Sequence, residues 1–201
     1  MTTLVATQGH GYLKMVDNLP ATFRRVVNGD TLSLGGRSFR VLTGDGHAPE
    51  QLMLYCAADR LFLAADQVLA KITPNVSVWA VDPEGDPLGL YLRSLEELKI
   101  AIPDDVLVLP GHQLPFQGLH QRASQLMVHH EERCSLIAQA CRFEPKSAAE
   151  LIPVLFPRAL DPHQMSFAFS EIQAHVNYML RRGRLRWSEA NGGIERVRST
   201  E

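Results

Sequence analysis

At 201 residues, 45% hydrophobic and 21% charged, the chain has the composition of an ordinary globular protein, long enough for one domain or a domain with a small appendage. A formal charge of -2 excludes an electrostatic case for nucleic acid or an anionic membrane as an obligatory partner. The three cysteines, Cys56, Cys134 and Cys141, form no CxxC pair, and neither a secretory leader nor eighteen uninterrupted apolar residues occurs, so buried, reduced thiols in a cytoplasmic chain are expected.

Residues 1–19 carry little pattern, at most the remains of a helix that packs elsewhere. From Phe23 the pattern becomes β: Arg24–Val27, a turn at Asn28-Gly29-Asp30, then Thr31–Leu34 in strict alternation, a turn at Gly35-Gly36, and Ser38–Leu42. Neither glycine pair resembles a phosphate cradle; both read as turns that need positive φ. Gln51–Cys56 and Leu61–Ala65 are expected as two further strands joined at Ala58-Asp59-Arg60.

The acidic run Asp82–Pro87 lacks the spacing of a calcium loop and reads as a solvated loop or a helix cap. It leads into a helix over Leu88–Ile100, with Leu88, Tyr91, Leu92, Leu95 and Leu98 on one stripe. A strand over Val106–Leu109 follows. Leu119–Arg142 is a long amphipathic helix, with Leu126, His130, Ile137 and Cys141 at heptad-like spacing. Ser147 and Glu150 form a capping box for a helix to Phe156. Another helix spans Phe167–Leu180, and Arg184–Trp187 and Ile194–Arg198 flank Asn191-Gly192-Gly193 as a hairpin.

Three stretches run apolar residues into one polar residue of metal-ligand type: the strand before Gly44-Asp45-Gly46-His47, Leu61–Asp66, and Val106–His112. Singly, each polar residue reads as a strand end or turn. Together, two imidazoles and a carboxylate form a donor set that divalent zinc accepts at neutral pH, with a carboxylate able to bridge two ions. On the long helix, His120, His129, His130 and Arg133 read by themselves as a solvated face with i,i+3 and i,i+4 pairs.

Gly44-Asp45-Gly46-His47-Ala48-Pro49-Glu50, Leu61–Asp66, and Leu109-Pro110-Gly111-His112 with Pro115-Phe116 resemble the C-terminal half of the metallo-β-lactamase superfamily. The tail from His120 through Arg133 to Glu171–His175 is similar to the winged-helix-like extension of its bacterial metallohydrolases. The resemblance covers roughly residues 20–198. It implies an α/β (α+β) fold: a metallo-β-lactamase-like αββα sandwich, only partly represented, over residues 1–142, then a helical, winged-helix-like extension over 143–201. It also implies one or two zinc ions, with His47 completing the first site, His112 the second, and Asp66 bridging them and orienting the catalytic hydroxide. Because the resembling enzymes start their long helix beside the site, it further implies His120, His129, His130 and Arg133 as candidates for substrate-binding or supporting groups.

The superfamily's His-x-His-x-Asp-His motif does not occur in these 201 residues, and His10 is the only histidine before His47. About two protein ligands per ion remain, against the three plus water of a catalytic zinc. Two functions are therefore carried forward. One is a zinc-dependent hydrolase of esters, thioesters, lactones or phosphodiesters acting on a small-molecule substrate. The other is a non-catalytic fragment or pseudoenzyme that folds as a homo-oligomer or with a missing N-terminal segment. Arg181, Arg182, Arg184, Arg186, Arg196 and Arg198 make the tail locally basic. Helix-dipole and solvent-facing roles are preferred for them over a nucleic-acid partner.

Overall fold

The computed structural model describes residues 20–191 and 193–201. The expected helical remnant at 1–19, with His10, and Gly192 in the expected hairpin turn lie outside the described residues. Among the described residues, seven strands and four helices follow in order: β1 (Thr31–Leu34), β2 (Arg37–Gly44), β3 (Gln51–Cys56), β4 (Leu61–Ala65), α1 (Pro87–Ala101), β5 (Leu107–Pro110), α2 (Leu119–Ala140), α3 (Ala148–Leu155), α4 (Pro162–Arg181), β6 (Leu185–Asn191) and β7 (Ile194–Ser199).

The first five strands form one sheet in the order β1-β2-β3-β4-β5. The first three pairings are antiparallel, as short hairpin connections allow, whereas β5 lies parallel to β4 after a crossover through α1. Arg24–Val27 is not a strand. Only the turn after it forms: Gly29 adopts φ 91° and Val27 N–H donates to Asp30 Oδ2 at 3.0 Å.

Alternation along the strands divides the sheet into two faces. Leu42, Met53, Phe62, Ala64 and Val108 point to the helices and share one core with Leu88, Tyr91, Leu95 and Leu98 of α1 and Leu119, Ala123 and Leu126 of α2. The opposite face carries Phe39, Val41 and Cys56, which are buried but outside that core, and Leu52, Leu54, Leu61, Leu63, Leu107 and Leu109, which are half-buried or exposed.

The helix ends follow from local chemistry. Asp86 caps α1, its carboxylate accepting from Gly89 N–H at 2.9 Å, with Pro87 in the first turn; the acidic run is a cap. The Ser147/Glu150 box caps α3. Helix α4 starts five residues earlier than its apolar pattern suggests, because Asp161-Pro162-His163-Gln164 supplies a second capping box with proline at the first turn. Phe167, where the expected helix began, is 43% exposed. Strands β6 and β7 form a hairpin, extended by Lys146, which exchanges backbone hydrogen bonds with Val197 at 3.0 and 2.9 Å.

Candidate metal centre

Strands β2, β4 and β5 each end at one edge of the sheet in a kinked backbone that turns a polar side chain outward. After β2, Gly46 takes φ 103°, and a Cβ there would stand 2.3 Å from Tyr91 Cβ and 2.7 Å from the Pro87 carbonyl. Only glycine lets the loop approach α1 this closely, and His47 follows it. After β4, Ala65 takes φ 46° at a register shift, and Asp66 follows. After β5, Gly111 N–H donates to the Ala65 carbonyl at 2.7 Å, and His112 precedes Gln113 at φ 71°. Positive φ in the non-glycine residues Ala65 and Gln113 is strain of the kind that collects at functional sites.

The three side chains meet. His47 Nε2 lies 3.7 Å and His112 Nε2 3.3 Å from the same oxygen, Asp66 Oδ2. His47 and Asp66 side chains are about one-quarter exposed and His112 about two-thirds. His47 Nδ1 pairs with the Asn75 carbonyl at 2.8 Å, a contact only an N–H can make, so in the neutral ring Nε2 keeps a lone pair facing a carboxylate oxygen. Two acceptors turned toward each other call for a cation or a proton between them. Asp66 Oδ1 is buried without a hydrogen-bond partner, and a Cβ on Gly111 would stand 2.4 Å from it.

An imidazole tautomer fixed by a carbonyl, a shared carboxylate and an orphaned buried oxygen are the features of a metal-ligand set. The set fits a divalent ion of the zinc type, but it is incomplete. Among the described residues no group of three or more His, Cys, Asp or Glu side chains gathers as a ready metal cage. His47 and His112 would each offer one imidazole nitrogen and Asp66 a shared carboxylate, fewer donors than a closed zinc site needs.

Residues 134–200 match the family model described as metallo-beta-lactamase-like, C-terminal domain. Among solved structures, the chain is similar to a beta-lactamase domain protein from Burkholderia ambifaria, at 40% identity and TM-score 0.90 over 94% of this chain and 56% of that one. It is also similar to a metallo-beta-lactamase family protein from Thermus thermophilus, at 31% identity and TM-score 0.76 over 90% of this chain and 55% of that one. The chain belongs to the metallo-β-lactamase superfamily. It spans a little over half the length of these two relatives. Among curated proteins none matches the sequence.

Within this superfamily chain, His130 and Arg133 lie away from solvent in the helical layer. His130 is 1% exposed, with its ring against the edge of Tyr91 and its Nδ1 3.1 Å from His175 Nε2. Among the described residues no hydrogen bond or ion pair joins His130 or Arg133 to His47, Asp66 or His112. The protons of the buried pair can be counted. His175 Nδ1 donates to the Glu171 carbonyl at 2.8 Å, so its Nε2 is an acceptor, and His130 Nδ1–H must be the donor between the rings. His130 Nε2 is left as a buried acceptor without a partner. Burial, reinforced by neighbouring positive charge, holds His130 down to about 2. Burial also holds His175 down to about 4, against the pull of the Glu171 carbonyl.

Arg133 faces the Glu171 carboxylate at 3.0 Å in a largely buried ion pair and stacks 4.7 Å from the Phe156 ring centroid. The pair is close but not aligned as a hydrogen bond, which leaves Arg133 Nη1 and Glu171 Oε1 without one. Burial pushes the Glu171 carboxyl up despite Arg133. His129 accepts from Arg133 Nε at 2.8 Å, and His120 Nε2 pairs with the Ile102 carbonyl at 2.8 Å, so both are engaged within the fold.

Five of the six tail arginines are ties. Arg181 reaches the Glu84 carbonyl, Arg182 pairs with Asp86, Arg184 with Glu131 and Glu201, Arg196 with Glu150, and Arg198 points to the Phe143 carbonyl. Asn75 and Gln67 escaped the sequence reading, and Tyr91 entered it only as part of an apolar stripe, since each supports the candidate ligands through contacts made only in the fold.

Proposed function

We propose that this chain carries part of the metal centre of a zinc-dependent hydrolase, with His47, Asp66 and His112 as ligands and Asp66 also as the catalytic carboxylate. The observation that carries the reading is the approach of two imidazole Nε2 atoms to one oxygen of Asp66, at 3.7 and 3.3 Å, beside an orphaned Oδ1. Zinc, when bound, supplies a Lewis acid for a carbonyl or phosphoryl oxygen and a water whose pKa is lowered to about 7. The chain's own residues hold and orient. Asn75 fixes the His47 tautomer, Asp66 presents one carboxylate oxygen to both rings, and no protein nucleophile is required. Esters, thioesters, lactones and phosphodiesters all offer an electrophilic centre to such a site.

The remaining donors come from polypeptide beyond these residues or from a second copy. The test is a hydrolase screen of the chain with added zinc on those four substrate classes. Turnover that a chelator abolishes and Asp66→Asn loses supports the reading. Turnover indifferent to both overturns it.

A second reading, a non-catalytic chain completed by self-association, is favoured by the apolar face of the sheet, where Leu52 and Leu107 are 41% and 40% exposed. Sedimentation separates the two: a dimer that does not hydrolyse any of the substrates with zinc present supports the second, and a hydrolytic monomer removes it.

A further inference from the structure

Gln67, next to Asp66, is fully buried, although glutamine is a residue that ordinarily stays in water. Its side chain lies over Gly44, where a Cβ would stand 2.8 Å from Gln67 Cδ, so the last residue of β2 is kept without a side chain to make room for it. Its Nε2 donates to the Asp45 carbonyl at 3.0 Å, two residues before His47. Its own carbonyl accepts from the Tyr91 hydroxyl at 3.0 Å, and its N–H donates to the Ala64 carbonyl at 3.1 Å. Tyr91, equally buried, is also the residue against which Gly46 packs.

One residue therefore touches both ligand loops and the helix beneath them. We infer that Gln67 is a positioning residue for the metal centre, its side-chain amide clamping the His47 loop to the Asp66 loop in one register while Tyr91 anchors the clamp to α1. Burying this amide carries the cost of an unpartnered Oε1, so packing alone does not account for it. Methionine, of similar length, would fill the space over Gly44 without that cost. What methionine cannot supply is the donor to Asp45.

The inference rests on the metal-centre reading above, and its test keeps the two apart. Hydrogen exchange and zinc affinity are compared in the wild type, Gln67→Met and Tyr91→Phe. In Gln67→Met, amides in segments 45–50 and 66–71 exchange about tenfold faster while β3 is unchanged, and zinc binds about tenfold more weakly or worse. Tyr91→Phe loosens 66–71 in the same direction, and it carries the test if Gln67→Met does not fold. Unchanged exchange in both loops, or equal acceleration throughout β3 and α1, overturns the inference, as does wild-type zinc affinity in both variants. If the wild type takes up no zinc, the hydrolase reading fails and the exchange comparison alone decides the role of Gln67.

Discussion

The buried pair His130–His175 makes the protein sensitive to mild acid, and the effect can be sized. Both rings are neutral in the fold, with His130 held at about 2 and His175 at about 4 against an ordinary value of 6.5. Above pH 6.5 the rings are neutral folded or unfolded, so their contribution is fully present. As pH falls below 6.5 the unfolded chain takes up the protons first, and stability is lost until the folded values are reached. At pH 5.0, 1.5 units below the ordinary value, each ring costs about 2 kcal/mol, and the pair about 4 kcal/mol, a large share of a domain's stability. Glu171 opposes this, because a carboxyl raised by burial gains stability as pH falls through its folded value. A variant isolates the histidine. Urea midpoints of the wild type and His175→Gln are measured at pH 7.5, 6.5, 5.5 and 5.0. The variant is less stable at pH 7.5, and the gap closes by about 2 kcal/mol at pH 5.0. A gap constant across that range refutes the argument.

Other substitutions test the supports of the candidate centre and the helical layer. Gly111→Ala drives a methyl group into Asp66 Oδ1, so metal affinity falls by about tenfold or more while stability drops by only about 1 kcal/mol; equal zinc titrations would contradict it. Gly46→Ala meets both a positive φ and the Tyr91 Cβ, and should cost about 2 kcal/mol or more by urea denaturation. Arg133→Met leaves Glu171 buried and unpaired, at a cost of about 3 kcal/mol, much of it recovered in the double variant with Glu171→Gln; additive losses would speak against the pair. Ser147→Ala removes the cap of α3 and lowers stability by about 1 kcal/mol, read as a shift in thermal midpoint.

Much of the fold could be read from local pattern. Short apolar runs ending at Asp66 and His112 mark strands because a buried strand needs no alternation, and the stripe from Leu88 to Leu98 has the helical period that α1 obeys. The spacing of Leu126, His130, Ile137 and Cys141 also names a buried face, and all four are buried. The failures come where a residue's state depends on something distant. Arg24–Val27 has strand-like composition but no strand pairs with it among the described residues, and composition cannot create a partner. The start of α4 was written in Asp161-Pro162-His163-Gln164, a capping signal that outweighed the apolar period beginning later.

At the site, the three candidate ligands were visible because each follows its own strand. The roles of Gln67, Tyr91 and His175 were not, because a buried amide, a hydroxyl reaching a loop carbonyl and a ring-to-ring hydrogen bond exist only once helices lie on the sheet. The arginines of the tail show the same limit from the other side. Their clustering suggested a basic surface, while most of them reach acids or carbonyls of α1, α2, α3 and neighbouring loops.

The candidate metal centre is tested most directly by zinc titration of the metal-stripped chain by calorimetry, beside His47→Ala, Asp66→Asn and His112→Ala. Saturable uptake by the wild type is expected, weakened by each substitution and most by Asp66→Asn, the carboxylate both histidines approach. Zinc uptake that survives all three substitutions unchanged, or none in the wild type, would contradict it.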